Sequence, residues 1–213
     1  MSQHPDLAHE ERWWARGYQR VAGLDEAGRG SWAGPVAAAV AILPPGVAIA
    51  ADLAPVRDSK LLSPRVRERC FDLIVAHALD YGVGMASAEE IDRLGILPCT
   101  RLAMQRALAA LRRPPEALLV DALRLPQVDL PQEALVHGDR LCLSIAAASI
   151  LAKVSRDRMM VALHEQWPQY GFADHKGYST PAHLSALTAH GPCPHHRRSF
   201  APVAAVCLFG PVG

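Results

Sequence analysis

Residues 21–30 read Val-Ala-Gly-Leu-Asp-Glu-Ala-Gly-Arg-Gly, and residues 35–43 read Pro-Val-Ala-Ala-Ala-Val-Ala-Ile-Leu. Two short Val/Ala-rich runs, Val21 to Leu24 and Pro35 to Leu43, flank a glycine-rich bend, the pattern of two neighbouring strands joined by a turn. The first run ends in adjacent acids, Asp25 and Glu26. Desolvation and like-charge repulsion both oppose the ionisation of acids at a buried strand end, so a bound divalent cation is one way to stabilise them. The plainer alternative is that one acid caps the bend while the other is solvated. Successive strand residues point to opposite faces, so sharing one site requires an irregularity, which Gly28 and Gly30 could supply.

Outward from this stretch the pattern alternates. Ser63-Pro64 offers an N-cap with proline at the first helical position, and Val66, Cys70, Leu73, Ile74 and Ala78 follow at helical spacing. Asp80 to Ala86 predicts a strand, and Ser87-x-x-Glu90 is a capping box opening a short helix that ends near Gly95. A longer helix is predicted from about Pro98 to Leu111. Pro114-Pro115 breaks the chain before Ala117 to Val120, a strand delivering Asp121, and Ala134 to Val136 is expected as another strand before Gly138-Asp139. A long helix spans about Leu143 to Gln166, with Ile145, Ala148, Ala152, Met159 and Leu163 on one face, and Thr180-Pro181 starts another. Strands first and helices last predict an α/β fold around a mixed sheet. With Asp121 and Asp139 also ending short apolar runs, four carboxylates can meet at one edge of that sheet.

The 213 residues are half hydrophobic and a fifth charged, enough for one substantial core. We expect a single domain made of an arm at 1–20, docking through Trp13 and Trp14, a core at 21–165 and a C-terminal helical extension at 166–213. The net charge of +1 gives no strongly basic fingerprint. Residues 151–213 nevertheless carry +3 and six of the ten histidines, leaving −2 on the rest, which allows an acidic metal site at one end and a phosphate-facing surface at the other. Cys70, Cys99, Cys142, Cys193 and Cys207 are odd in number, scattered and without C-x-x-C spacing, so they are expected as reduced core thiols. The N-terminus has no apolar signal region, and Val36 to Pro45, the longest apolar run, is too short to cross a bilayer. A cytoplasmic monomer with no membrane association is the expectation.

Oxygen ligands in this number suit Mg²⁺ or Mn²⁺ rather than zinc. Two such ions, roughly 3.5–4 Å apart, serve in-line phosphoryl displacement. Gly28-Arg29-Gly30 is either a permissive turn or a place where the main chain approaches a nucleic-acid backbone closely enough to sense a ribose 2′-hydroxyl. His190, Cys193, His195 and His196 match no standard zinc spacing. Lys153 and Arg156 either face phosphate or belong to a helix surface on which Lys153-Asp157 is an i,i+4 pair. A phosphotransferase would need G-x-x-x-x-G-K-[ST], which is absent. A non-catalytic phosphate-binding module would gain nothing from four acids.

Val21 to Gly30, Asp58-Ser59-Lys60, the run Ser144 to Val154 (SIAAASILAKV), His175-Lys176-Gly177-Tyr178 and His196-Arg197-Arg198-Ser199-Phe200 resemble bacterial ribonuclease HII, in that family's order, over about residues 20 to 203. The resemblance implies a ribonuclease H-like fold with a C-terminal helical extension. It also implies endonucleolytic hydrolysis of RNA in RNA·DNA hybrids and incision 5′ to single ribonucleotides embedded in duplex DNA. The products would carry 3′-hydroxyl and 5′-phosphate ends, as in ribonucleotide removal and RNA primer processing, with no obligate protein partner. Carried over by position, Asp25, Glu26, Asp121 and Asp139 look like the metal-binding catalytic acids and Gly28-Arg29-Gly30 like the 2′-hydroxyl-reading loop. Lys60 looks like a backbone-phosphate contact, otherwise a solvated lysine. Tyr178 looks like the aromatic packing on the sugar at the RNA-to-DNA junction, otherwise an ordinary loop aromatic. The chain departs from the family where Ala122 and Leu123 replace Gly-Asn after Asp121, where His137 and Arg140 flank Gly138-Asp139 in place of Lys and Ser, and where Leu61 replaces a lysine.

Overall fold

Five strands, β1 (Val21–Ala27), β2 (Val36–Ile42), β3 (Asp80–Ala86), β4 (Ala117–Asp121) and β5 (Gln132–Leu135), form one sheet in the order β3-β2-β1-β4-β5 in a computed structural model that describes residues 4–209. The β3-β2-β1 half is antiparallel and the β1-β4-β5 half parallel, so the sheet is mixed as predicted. β2 is buried along its whole length because helices cover both sheet faces, which explains its unbroken apolar sequence.

The long helix α6 (Leu143–Gln166) and α3 (Pro64–His77) bury one face, where Ala27, Ala39 and Ala41 meet Ala147, Ile150 and Leu151. On the other, α5 (Ile96–Ala109) packs Ala103, Met104 and Ala107 against Leu24, Ala38 and Val40. Gly23 lets α6 approach β1 closely: a Cβ there would lie 2.2 Å from the backbone carbon of Ser144. The predicted caps hold: Ser63 Oγ accepts from the Val66 amide, and Ser87 and Glu90 form a reciprocal capping box on α4 (Ala88–Leu94).

The N-terminal arm is structural. Its helix α1 (Ala8–Trp14) buries Trp13 against Val21, Leu119 and Ile145. It also inserts Glu10, fully buried, at the N-terminus of α6, where Oε1 accepts from the Ser144 amide at 2.7 Å and from Cys142 Sγ at 3.2 Å. A carboxylate there satisfies an orphan amide and complements the helix dipole. After a short helix α2 (Ala48–Asp52) and α6, the C-terminal extension adds α7 (Phe172–His175), α8 (Pro181–His190) and α9 (Ala201–Phe209); residues 210–213, assigned to it from sequence, lie outside the described residues.

Three local expectations are corrected. β5 begins at Gln132 and ends at Leu135, two residues and one residue earlier than the strand predicted at Ala134 to Val136, because Gln132 to Leu135 is the stretch that pairs with β4. Met159 is exposed, and Met160 takes the inward position. Below Ala152 the buried line of α6 runs through Arg156, Met160 and Leu163, facing the C-terminal extension. Cys207 is exposed on α9, whereas the other four cysteines are buried, and all five are free thiols. No described helix is long and apolar enough to cross a membrane.

Candidate active site

Parallel pairing of β1 with β4 runs from Val21↔Ala117 to Leu24↔Val120, so the next register step sets Asp25 beside Asp121 where the ladder opens. β4 then stops: Ala122 donates to the Leu135 carbonyl at 2.9 Å and turns the chain with φ 52°. Past β5, His137 adopts φ 57° and leads into a 3₁₀ turn, Gly138–Arg140. The Gly138 amide donates to Asp121 Oδ1 at 2.7 Å, which holds buried Asp139 beside the strand end. A second 3₁₀ turn, Ser59–Leu61, capped by Asp58, brings Lys60 Nζ to 3.5 Å from Asp139 Oδ2. Arg140 pairs with buried Asp58 at 3.1 Å. The departure at Arg140 therefore reinforces the turn that carries Lys60.

The irregularity expected inside β1 is not there. β1 stays paired to β2 through Ala27↔Ala37, with Asp25 alternating toward α6 and Glu26 toward α5. Asp25 and Glu26 share one electrostatic site because β4 ends early and leaves that edge of β1 uncovered. Burial pushes the Asp25 carboxyl well above the usual carboxylate range, and the charges of Glu26 and Asp121 add to it. Burial also raises Glu26, against the pull of Arg29, whose Nη1 lies 3.1 Å from Glu26 Oε1. Asp121 is raised by burial, opposed by the Gly138 amide and reinforced by Asp139. Partial desolvation of the largely exposed Lys60 opposes its charge, but Asp139, Asp25 and Asp58 outweigh it and lift the ammonium above its ordinary range. Asp25, Glu26 and Asp121 thus lie within reach of one another's charge, and Asp139 joins them through Asp121 and Lys60.

The cluster is not a closed cage: among the described residues no three His, Cys, Asp or Glu side chains converge as a metal-ligating group. Repulsion spreads the carboxylates onto internal donors, Asp25 onto the Glu26 amide at 2.7 Å, Asp121 onto Gly138, Glu26 onto Arg29 and Asp139 onto Lys60. Glu26 Oε2 is left buried with no hydrogen-bond partner among the described residues. An oxygen-only donor set with an unanswered buried carboxylate oxygen fits a hard divalent cation.

Two of the predicted recognition segments, the loop after β1 and the one carrying Tyr178, are joined through their main chains. Gly28, with φ 88°, is buried, whereas Arg29 and Gly30 are exposed. Trp32 and Ala33 donate their amides to the Gly177 carbonyl at 2.9 and 3.3 Å, joining this loop to the segment that carries Tyr178. Tyr178 is half-buried, its ring 5.2 Å from Lys153 Nζ, beside a groove of about 540 Å³ that is also lined by Arg67, Arg158 and Lys176. Lys153 makes its i,i+4 pair with Asp157 at 2.6 Å. Arg156 does not face phosphate: it is fully buried and bonded to main-chain carbonyls. Arg197, within the His196-to-Phe200 motif, is buried in the same manner. A polar residue on the buried line of a helix was the one available sign for Arg156; Arg197 had none.

The histidine-rich segment is a hydrogen-bonded core. His183 Nδ1 lies 2.9 Å from the Tyr178 carbonyl, His183 Nε2 3.1 Å from His196 Nε2, and the Cys193 amide donates to His196 Nδ1 at 3.0 Å. One tautomer assignment gives every bond a donor: His183 carries its proton on Nδ1 and His196 on Nε2.

The family model described as Ribonuclease HII matches residues 22–203. The chain is 54% identical over 205 residues to Ribonuclease HII of Chloroflexus aurantiacus, covering 96% of this chain and 97% of that one. It is 58% identical over 191 residues to Ribonuclease HII 2 of Methylibium petroleiphilum, covering 88% and 85%. Among solved structures, ribonuclease H2 from Pyrococcus horikoshii superposes with a TM-score of 0.72 at 29% identity, covering 88% of this chain and 96% of that chain.

Proposed function

This chain belongs to the ribonuclease HII family, whose members degrade RNA in RNA·DNA hybrids, and on that premise we propose that it cuts at the Asp25, Glu26, Asp121 and Asp139 cluster and also incises 5′ to single ribonucleotides in duplex DNA. The observation that carries the assignment of the site is the buried, unpartnered Glu26 Oε2, on an acid whose neighbours Asp25 and Asp121 are, like it, raised by burial and by the charges of nearby acids. The four acids would hold Mg²⁺ or Mn²⁺. Two bound ions would supply water activation and stabilise the leaving oxygen of an in-line displacement, giving 3′-hydroxyl and 5′-phosphate ends.

The chain's own groups orient the substrate. Glycine at positions 28 and 30 lets the main chain approach a ribose, and a peptide donor can pair with a 2′-hydroxyl that DNA lacks. Tyr178, half-buried with its ring beside Lys153 at the edge of a groove, supports packing on the sugar at the RNA-to-DNA junction. Lys60 has a side chain 77% exposed and a single long contact to Asp139, so it can exchange that carboxylate for a backbone phosphate. The extension from residue 166 onward is read as substrate-binding because it carries Lys176 and Tyr178. This activity suits ribonucleotide removal from DNA and RNA primer processing.

The test is incubation with Mg²⁺ or Mn²⁺ and an end-labelled DNA duplex containing one ribonucleotide, beside an all-DNA duplex and an Asp25→Asn variant. A single cut 5′ to the ribonucleotide, in the unaltered protein alone, is expected. Cleavage of a continuous hybrid without that cut would remove the embedded-ribonucleotide activity, and an active Asp25→Asn protein would remove Asp25 from the site.

A further inference from the structure

Two arginines, Arg156 and Arg197, are fully buried and neither lies within salt-bridge distance of a carboxylate among the described residues. A buried, uncompensated guanidinium is costly unless every N–H is answered. Here three N–H groups of each arginine are answered, all by main-chain carbonyls. Arg197 donates through Nε to Gly34 at 3.0 Å, through Nη1 to Arg29 at 2.8 Å and through Nη2 to Gly28 at 2.7 Å. Arg156 donates through Nε to Pro35 at 2.9 Å, through Nη1 to Lys176 at 3.0 Å and through Nη2 to Ala33 at 3.0 Å. Five of these six acceptors belong to the loop after β1 and the sixth to the residue two before Tyr178.

From this geometry we propose that Arg156 and Arg197 are positioning residues for ribonucleotide recognition, fixing the Gly28-Arg29-Gly30 turn and Tyr178 as one rigid reading surface whose peptide donors face the substrate. This rests on the site reading above. In a trans peptide the C=O and N–H point in opposite directions. With the Gly28 and Arg29 carbonyls turned inward onto Arg197, the amides of Arg29 and Gly30 are turned outward, and neither is bonded within the described residues. A cation behind each carbonyl polarises the same peptide and strengthens its outward N–H as a donor. Arg197 stays cationic at neutral pH, although burial and then the neighbouring charge of Arg156 pull it down to about 9. Arg156 links the two halves of the surface: a Cβ on Gly28 would lie 2.0 Å from its Nε, and its Cζ is 5.1 Å from the Tyr178 ring centroid. Lysine would keep the charge and lose the fork, so structural filling and positioning can be separated.

The experiment compares the full-length protein with Arg156→Lys and Arg197→Lys. kcat and KM are measured on a single-ribonucleotide duplex and a continuous hybrid, Mn²⁺ binding by calorimetry without nucleic acid, and amide exchange across residues 28–35 and 176–178. Expected are a rise in KM of tenfold or more with Mn²⁺ affinity within twofold of the parent, and faster exchange in both loops with β1 and β2 unchanged. Arg197→Lys lowers both substrates in proportion, whereas Arg156→Lys, beneath Tyr178, lowers the embedded ribonucleotide more. Folded variants with unchanged KM and unchanged loop exchange, or losses that only follow the folded fraction, overturn the proposal. If a lysine variant does not fold, the guanidinium N–H resonances of the unaltered protein in EDTA decide. The proposal requires those of Arg197 to shift on adding the single-ribonucleotide duplex and not an all-DNA duplex, and no shift overturns it. Exchange and resonance readouts need no cleavage, so failure here is distinct from failure of the cleavage reading.

Discussion

The Gly138 amide donates to Asp121 Oδ1 at 2.7 Å, and through this bond the turn that carries Asp139 is fastened to the strand end that carries Asp121. Because Asn keeps the acceptor oxygen, Asp121→Asn preserves the bond and removes one charge from a crowded acidic cluster. Metal-dependent cleavage is expected to fall at least a hundredfold, with unfolding free energy within about 1 kcal/mol of the parent. Hybrid cleavage and urea denaturation measure the two, and full activity would take Asp121 out of the site.

Ala122 sits one residue later with φ 52° and is exposed. A left-handed residue with a Cβ costs roughly 1–2 kcal/mol, while glycine costs roughly 0.5–1 kcal/mol in chain entropy. Ala122→Gly is therefore expected to stabilise the protein by about 0.5 kcal/mol, seen as a higher urea midpoint at an unchanged m-value. Ala122→Val, β-branched in the same conformation, should destabilise it. Glycine is the residue the resemblance leads one to expect here, and the backbone supplies the reason.

Tyr178→Ala removes a ring without touching any of the four acids. Calorimetric Mn²⁺ binding should be unchanged, while kcat/KM on a single embedded ribonucleotide falls by the equivalent of about 1–3 kcal/mol, the range for one aromatic contact with a nucleotide base, and by less on a continuous hybrid. Equal losses on both substrates would refute a junction-reading role.

Burial holds His183 down to about 4, and burial with the neighbouring His183 holds His196 down to about 3. His175, Tyr170, Phe172, His195 and Cys193 surround them, and none is a carboxylate that would favour protonation. Above pH 6.5 neither state of the chain protonates these rings. As pH falls below that, the unfolded chain takes up protons that the folded one refuses, so stability is lost between 6.5 and about 4. The slope is about 1.4 kcal/mol per pH unit for each histidine. Urea midpoints from pH 7 to 5 should decline more steeply than in His183→Gln, and ¹⁵N spectra should show neither ring titrating above pH 5. A ring titrating near 6.5 would contradict the hydrogen-bonded tautomers assigned here.

Wherever a residue's partner lies within a turn or two of chain, the sequence by itself was decisive. The Ser63 and Ser87 caps, the short apolar run of β1, the strand at Asp80 to Ala86 and the break at Pro114-Pro115 depend on local chemistry, and the structure repeats them. Acids that end short apolar runs allowed Asp25, Glu26, Asp121 and Asp139 to meet at one sheet edge, and the family resemblance singled out the same four. Tertiary structure decided what depends on distant partners: the premature end of β4 that opens the site, the Lys60 to Asp139 contact across 79 positions, and Glu10 reaching Ser144 across 134. Arg156 and Arg197 belong to the same class. Periodicity says only that a helix has an inside; whether an inward arginine is a phosphate ligand or a clamp depends on which carbonyls the rest of the chain folds against it.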